Sequence, residues 1–337
     1  MDGAAGDAEA GGASFLMAYL VPLREALEDP ATVEVAVNPD GQAWVERHGA
    51  AHMAPLEGVR FDAGRLRDLA RAVAGETRGQ ISARRPLVSG KIALPDGRPI
   101  RAQVVHEPAV EAGAAIALRR YREGRVGLDG FGLLHGALVD LKDRRRARAG
   151  EVAELMGRGD VAGAMRRCVE DRLNVLVSGG TTTGKTTFAR GLLDLIAAEE
   201  RIVTIEDAFE LFPAQPNRVM LRAERDESSA RSAARLLEAS LRLRPDRIVL
   251  GELRGAEVAT FLEAINTGHA GSVSTVHADT AAKAVDRLAL MVMATGIAMT
   301  YAEVRRYCAA SIDVVVQLGR QGGRRGVEEV IVAGAVT

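Results

Sequence analysis

Between residues 174 and 336 six short apolar runs recur: "NVLVSG", "RIVTIED", "RIVLGE", "SVSTVHA", "IDVVVQLG" and "VIVAGAV". They are rich in valine and isoleucine and do not alternate with polar residues, the pattern of strands covered on both faces. Helical spacing fills several of the gaps. After the first run, Phe188, Leu192, Leu195 and Ile196 recur along "TFARGLLDLIAAEE". Gly191 within that stretch is a mild cost that does not break it. Strands alternating with helices predict an α/β fold built on a doubly wound, mostly parallel sheet.

The earlier part of the chain follows a different pattern. "FLMAYLVPL" predicts a first amphipathic helix capped by Ser14. In "VEVAVNPDGQAWVER" two alternating runs flank a turn, which predicts a hairpin. A helix follows, capped by Asp62, with Leu66, Leu69, Ala70 and Val73 on one face. "IALPDGRPIRAQVV" predicts a second hairpin through Pro95, Asp96 and Gly97, and "AAIALRRY" closes the set. The expected organisation is a disordered stretch over 1–13, a smaller α+β domain over 14–121, a linker with an Arg-rich helix over 122–160, and the α/β domain over 161–337.

Composition narrows the function classes. At 337 residues the chain is long enough for two cores, and its net charge of −1 gives no global basic footprint. No direct nucleic-acid binding is expected, and with 4% aromatic residues the chain is poorly equipped to stack bases. Cys168 and Cys308 lie far apart and read as reduced thiols, not as a disulfide or a zinc site. The acidic N-terminus lacks the basic and apolar regions of a signal peptide, and no apolar run approaches about 20 residues. Cytoplasmic residence is expected, with peripheral membrane attachment left open. Arg144, Arg145, Arg146 and Arg148 read first as a solvated helix surface and second as a contact for acidic lipid or a partner.

The chemistry gathers where the apolar runs end. "GGTTTGKTT" places Gly179, Gly184, Lys185 and Thr186 at the G-x-x-x-x-G-K-[ST] spacing, with Gly180, Thr181, Thr182, Thr183 and Thr187 filling the same stretch. Strand, glycine loop and helix stand in the order needed for main-chain amides to cradle phosphates. Lys185 is placed for the outer phosphates and the Thr186 hydroxyl for Mg2+. ATP is therefore the expected ligand. Its hydrolysis asks for acids near the metal and a group to orient water. Glu206 and Glu252 each follow an apolar run, and either fits the role of magnesium holder or of water activator. His277 is placed to sense the outer phosphate. Each has a plainer reading: a carboxylate after a strand is often a cap, and a lone histidine is often structural. Glu210 reads as a surface residue. His269 and His277 lack the helical spacing of a zinc site.

Taken together, the glycine loop, "TIEDAFEL", "RPDRIVLGELRG" and "TGHAGSVSTVHA" resemble the Walker A, Asp, Walker B and His boxes of the secretion ATPase superfamily of traffic ATPases. "EDPATVEVAVNPDGQAWVER" and "SLRLRPDRIVLGELRGAE" look closest to its conjugative-transfer and type IV secretion branch, of the TrbB kind. The resemblance implies a RecA-like P-loop NTPase domain preceded by a smaller N-terminal domain, acting as an ATPase motor. It implies a homohexamer on the cytoplasmic face of the inner membrane, working with the channel proteins of a secretion or conjugation system. It also implies that two N-terminal arginines contact the outer phosphate. Arg101 and Arg119 match those places, with Arg120 a rival for the second. The long Arg-rich linker and the single proline of "HEPAV" depart from the pattern. Alternatives are a pilus assembly or retraction motor, a type II secretion ATPase, a RecA-like nucleic-acid motor, and a nucleotide-gated scaffold.

Overall fold

A computed structural model describes residues 15–94, 96–121 and 127–332. The Ser14 cap, the disordered stretch over 1–13 and Pro95 of the second hairpin lie outside the described residues. The first half opens with α1 (Phe15–Leu20) and α2 (Arg24–Glu28). A 3-10 turn at Val21–Leu23 joins them and absorbs Pro22, so the first helix is two pieces. Then come β1 (Thr32–Val37), β2 (Gln42–Arg47), β3 (Ala54–Arg60), α3 (Ala63–Glu76), β4 (Leu87–Ala93), β5 (Pro99–His106) and β6 (Ala114–Arg120). Asp62 caps α3 by accepting from the Arg65 amide at 2.8 Å. The six strands lie in the order β3-β2-β1-β6-β5-β4, and every pair is antiparallel. Leu66, Leu69 and Val73 of α3 cover one face together with Leu16, Leu20 and Leu23.

Two helices lead into the second half: α4 (Leu141–Gly157) and α5 (Val161–Glu170). The Arg-rich helix is not a uniformly solvated surface. Arg145 grips buried Asp313 through two bonds of 2.5 Å, and Arg148 lies 3.3 Å from Asp171. Only Arg144 and Arg146 of the four are fully exposed.

The rest alternates: β7 (Val175–Gly179), α6 (Lys185–Leu193), β8 (Ile202–Glu206), β9 (Arg218–Arg222), α7 (Ala233–Ser240), β10 (Arg247–Leu250), α8 (Glu257–Asn266), β11 (Val273–Val276), α9 (Ala281–Ala294), α10 (Tyr301–Ser311), β12 (Val314–Gln321) and β13 (Arg324–Val332). The sheet runs β13-β12-β7-β11-β10-β8-β9, parallel except where β13 returns along β12. Neighbouring residues of one strand serve opposite layers. Ile248 and Leu250 pack with Leu236, Phe261 and Leu288, whereas Val249 packs with Val175, Val177 and Leu192. A sheet clothed on both faces requires the unbroken apolar runs seen in the sequence.

Three details differ from the sequence reading. The helix after the glycine loop stops at Leu193 instead of reaching Glu200, because the Gln215 side chain takes up the carbonyls of Leu193 and Ile196 (2.9 and 3.0 Å). β3 and β9 are strands that the pattern does not announce. β13 begins at Arg324, ahead of its expected run.

The halves meet at the β8–β9 side of the second sheet. Val105, Ala109 and Val110 join the core formed by Val203, Ile205 and Val219. Arg201, 0% exposed, donates to Asn38 Oδ1 (2.6 Å) in the first half and to Leu243 O (2.8 Å) in the second. It also bonds Asn217, whose side chain accepts from Asn38 at 3.1 Å. Nearby, the Arg222 amide donates to Ala109 O at 2.8 Å.

Candidate functional site

The glycine loop bridges β7 and α6. Gly179 has no room for a side chain: a Cβ there would sit 2.6 Å from Thr183 Oγ1 and 2.7 Å from Leu318 O. Gly184 turns at φ 96°, a left-handed conformation that suits glycine, and delivers the chain into α6 at Lys185. Lys185 is 8% exposed, and its Nζ donates to the carbonyls of Gly179 (3.0 Å) and Gly180 (2.9 Å). Burial draws its pKa down and Glu252 partly opposes that. Thr183 is buried and donates to Gly180 O at 3.0 Å; Thr186 is half-buried, and Thr181, Thr182 and Thr187 are exposed.

Strand order decides which polar groups reach this loop. β11 lies beside β7, so His277, just past β11, comes within 3.2 Å of Lys185 Nζ through Nδ1. An ammonium can only donate, so Nδ1 accepts and the ring proton sits on Nε2. Nε2 faces Glu252 Oε1 at 3.3 Å. Burial, with help from Lys185, Arg287 and Arg254, holds the His277 pKa below its ordinary value against the pull of Glu252. The turn carrying Glu252 is pinned to β11: the Leu253 amide donates to Thr275 O and the Thr275 hydroxyl to Gly251 O, both at 2.8 Å.

Glu206 makes no direct polar contact with Lys185, His277 or Glu252. It ends β8, three strands from β7 (about 14 Å at roughly 4.8 Å per strand) but beside β10, with its Cγ 3.2 Å from where a Gly251 side chain would start. Its carboxylate accepts from the amides of Glu210 (2.8 Å) and Leu211 (2.9 Å) and from the Thr204 hydroxyl (3.2 Å). Burial raises its pKa, although those bonds oppose the shift. Glu206 and Glu252 line the wall of one cavity of about 290 Å³, with Asp207, Arg225 and Arg254.

That cavity holds a connection the motifs alone do not reveal. Arg254 donates to Glu252 Oε2 at 2.6 Å and to Asp207 Oδ2 at 2.9 Å, and Arg225 donates to the same Asp207 oxygen at 2.7 Å. Burial alone would raise the pKa of Asp207; the two guanidinium groups outweigh it and hold the carboxyl below its ordinary value. The only sequence signal for Arg254 is its place two residues after Glu252.

Arg101 and Arg119 stand side by side on β5 and β6 and line a separate hollow of about 480 Å³ with His48 and Tyr121. Arg120, the rival, gives its guanidinium to the Asp29 carbonyl. His269 bonds the backbone of Pro245, and burial lowers its pKa.

Residues 145–326 match the family model described as "Type II/IV secretion system protein". The chain is 34% identical over 311 residues to the type IV secretion system protein VirB11 of Brucella suis, covering 89% of this chain and 84% of that protein. It is 31% identical over 311 residues to the probable conjugal transfer protein TrbB of Sinorhizobium fredii, covering 91% and 84%. The crystal structure of the VirB11 ATPase from the Brucella suis type IV secretion system, in complex with sulphate, superposes with a TM-score of 0.81 at 33% identity, covering 94% of each chain.

Proposed function

The chain belongs to the type II/IV secretion system protein family, and from that premise we propose how Lys185, His277 and Glu252 divide the work of ATP hydrolysis. It is an ATPase of the type IV secretion and conjugation kind. The observation that carries the reading is the unbroken line Lys185–His277–Glu252 across the carboxyl ends of β7, β11 and β10, where open parallel sheets bind ligands.

Main-chain amides of residues 180–184 cradle the inner phosphates of ATP, and Lys185 turns from the Gly179 and Gly180 carbonyls to the outer ones. The site suits a magnesium ion that keeps most of its water. Among the described residues no three His, Cys, Asp or Glu side chains cluster as a metal cage, and Thr186 supplies a single hydroxyl beside the phosphates. Bound there, magnesium would neutralise charge developing between the outer phosphates. Water handling falls to Glu252. Its Oε1 lies on the Lys185 side, whereas the Glu206 carboxylate is committed to the amides of its own loop. Glu206 then acts as a brace for that loop, leaving the magnesium role assigned to it as the weaker option. Neutral His277, carrying its proton on Nε2, reports the outer phosphate to Glu252.

Arg101 and Arg119 enter this chemistry only if their sheet approaches the loop, by motion within a protomer or from a neighbouring copy. The assembly proposed is a homohexamer at the cytoplasmic face of the inner membrane, driving a secretion or conjugation channel. Its domains are the α+β half over 14–121 and the α/β half from 161 onward, joined through the linker. No described helix is long and apolar enough to cross a membrane; the attachment proposed is peripheral. The sulphate named for the Brucella suis relative is a tetrahedral dianion of the chemistry this loop is built to hold.

Nucleotide binding and steady-state turnover of two variants test the reading. Lys185→Ala is expected to lose ATP binding. Glu252→Gln is expected to bind ATP and to turn over at least about 100-fold more slowly. Undiminished turnover by Glu252→Gln would remove that residue from the mechanism.

A further inference from the structure

Glu252 is gripped from behind, and the grip has the form of a bracket built from its own turn and two other segments. Arg254 follows it by two residues in the turn between β10 and α8. The backbone of that turn is fixed: Glu257, 7% exposed, accepts from the amides of Arg254 (2.5 Å) and Gly255 (2.9 Å). From this footing the guanidinium spans two carboxylates, Glu252 Oε2 at 2.6 Å and Asp207 Oδ2 at 2.9 Å. Asp207 is itself anchored, by Arg225 on Oδ2 (2.7 and 2.9 Å) and by the Ala208 amide on Oδ1 (3.1 Å). The bracket therefore joins the ends of β10 and β8, which are neighbours in the sheet.

The division of oxygens on Glu252 gives the bracket a purpose. Oε2 belongs to Arg254, and Oε1 faces His277 and, beyond it, Lys185. A glutamate side chain rotates about several bonds, so one held oxygen fixes both the plane of the carboxylate and the direction of the other oxygen. Placement matters steeply in such a site, where an error of about 1 Å can cost about 100-fold in rate. Arg254 is 43% exposed, so the pair contributes little to folding, and its effect should appear in placement.

The geometry points to Arg254 as a positioning residue for the water-handling carboxylate Glu252, braced against Asp207 and acting without touching the nucleotide. This rests on the assignment of Glu252 made above.

Steady-state ATPase kinetics of the full chain test it. Arg254→Gln is expected to lower kcat about tenfold while leaving KM for ATP within about twofold, because ground-state binding does not use the bracket. Arg254→Lys, which can still reach one of the two carboxylates, should recover part of the loss. Asp207→Asn weakens the far anchor and should lower kcat in the same direction but by less. Combining it with Arg254→Gln should add little to the arginine change alone, since both act through one contact. An unchanged kcat, a raised kcat or a change confined to KM in Arg254→Gln overturns the proposal. If that variant does not fold, Arg254→Lys and Asp207→Asn decide by the same split. Glu252→Gln is run alongside: if it retains normal turnover, the assignment of Glu252 fails; if it is inactive while Arg254→Gln is normal, only the bracket fails.

Discussion

Lys185 Nζ lies 3.2 Å from His277 Nδ1, so the helix after the glycine loop and the end of β11 are joined by a direct polar contact. The contact has a pH signature. The folded-state pKa of His277 lies below its ordinary 6.5, through burial first and Lys185 second among the groups that lower it. Its contribution to stability is then present above pH 6.5 and declines as pH falls toward the folded value. Urea unfolding of wild type and His277→Gln at pH 7.5 and 5.5 checks this. Acidification should cost the wild type more than the variant, and equal losses would contradict the assigned environment.

Glu34 titrates in the opposite sense. It is 3% exposed, and burial raises its pKa from 4.5 to about 7 against the pull of Arg119 and Arg201. The folded chain keeps a proton there that the unfolded chain releases, a preference worth about 3 kcal/mol. That contribution is full below pH 4.5 and is lost as pH rises through about 7. Glu34→Gln stays neutral throughout. Its stability should overtake that of wild type between pH 5 and 8, measured by chemical unfolding, whereas parallel profiles would show that Glu34 is ionised throughout.

Arg247 and Glu200 form a buried pair with two contacts of 2.8 Å, at 3% and 5% exposure. Removing the cation strands the anion, with Arg172 at 2.9 Å the remaining guanidinium on it among the described residues. Arg247→Met is therefore expected to destabilise by about 3 kcal/mol. Glu200→Gln added to it should restore part of the loss. A change below about 1 kcal/mol would mean that the interior tolerates the bare carboxylate.

Thr186 offers its hydroxyl at the first turn of α6. Thr186→Ala should raise the Mg2+ concentration for half-maximal ATPase activity by roughly tenfold. A magnesium titration of both proteins is the measurement, and superimposable curves would dismiss the role.

How much of this could be read from the chain alone depended on distance along it. The glycine loop and the strand-end positions of Glu252 and His277 were legible because spacing and apolar runs are local signals. The fate of Glu206 was not, since it turns on the path by which Glu210 and Leu211 come back over β8. Nor was the Arg254–Asp207 contact, which joins residues 47 apart and needs β10 to lie beside β8. "RVMLR" gave no warning of β9 because charged residues bracket three apolar ones. The end of α6 is set by Gln215, 22 residues beyond the carbonyl it meets on Leu193. Arg145 and Arg148 looked like solvent-facing charge because their partners, Asp313 and Asp171, stand on other elements.

Among the described residues the seam between the halves is fastened at several places: the Arg201 guanidinium on Asn38, the Arg222 amide on Ala109, Arg231 on Pro108 O at 3.3 Å and Arg244 on Glu46 at 2.8 Å. With holds on the β1–β2 turn, on β2 and on the turn after β5, and with Leu87 of β4 packed against the second core, the two sheets meet along a broad line, and any relative movement must break several bonds together.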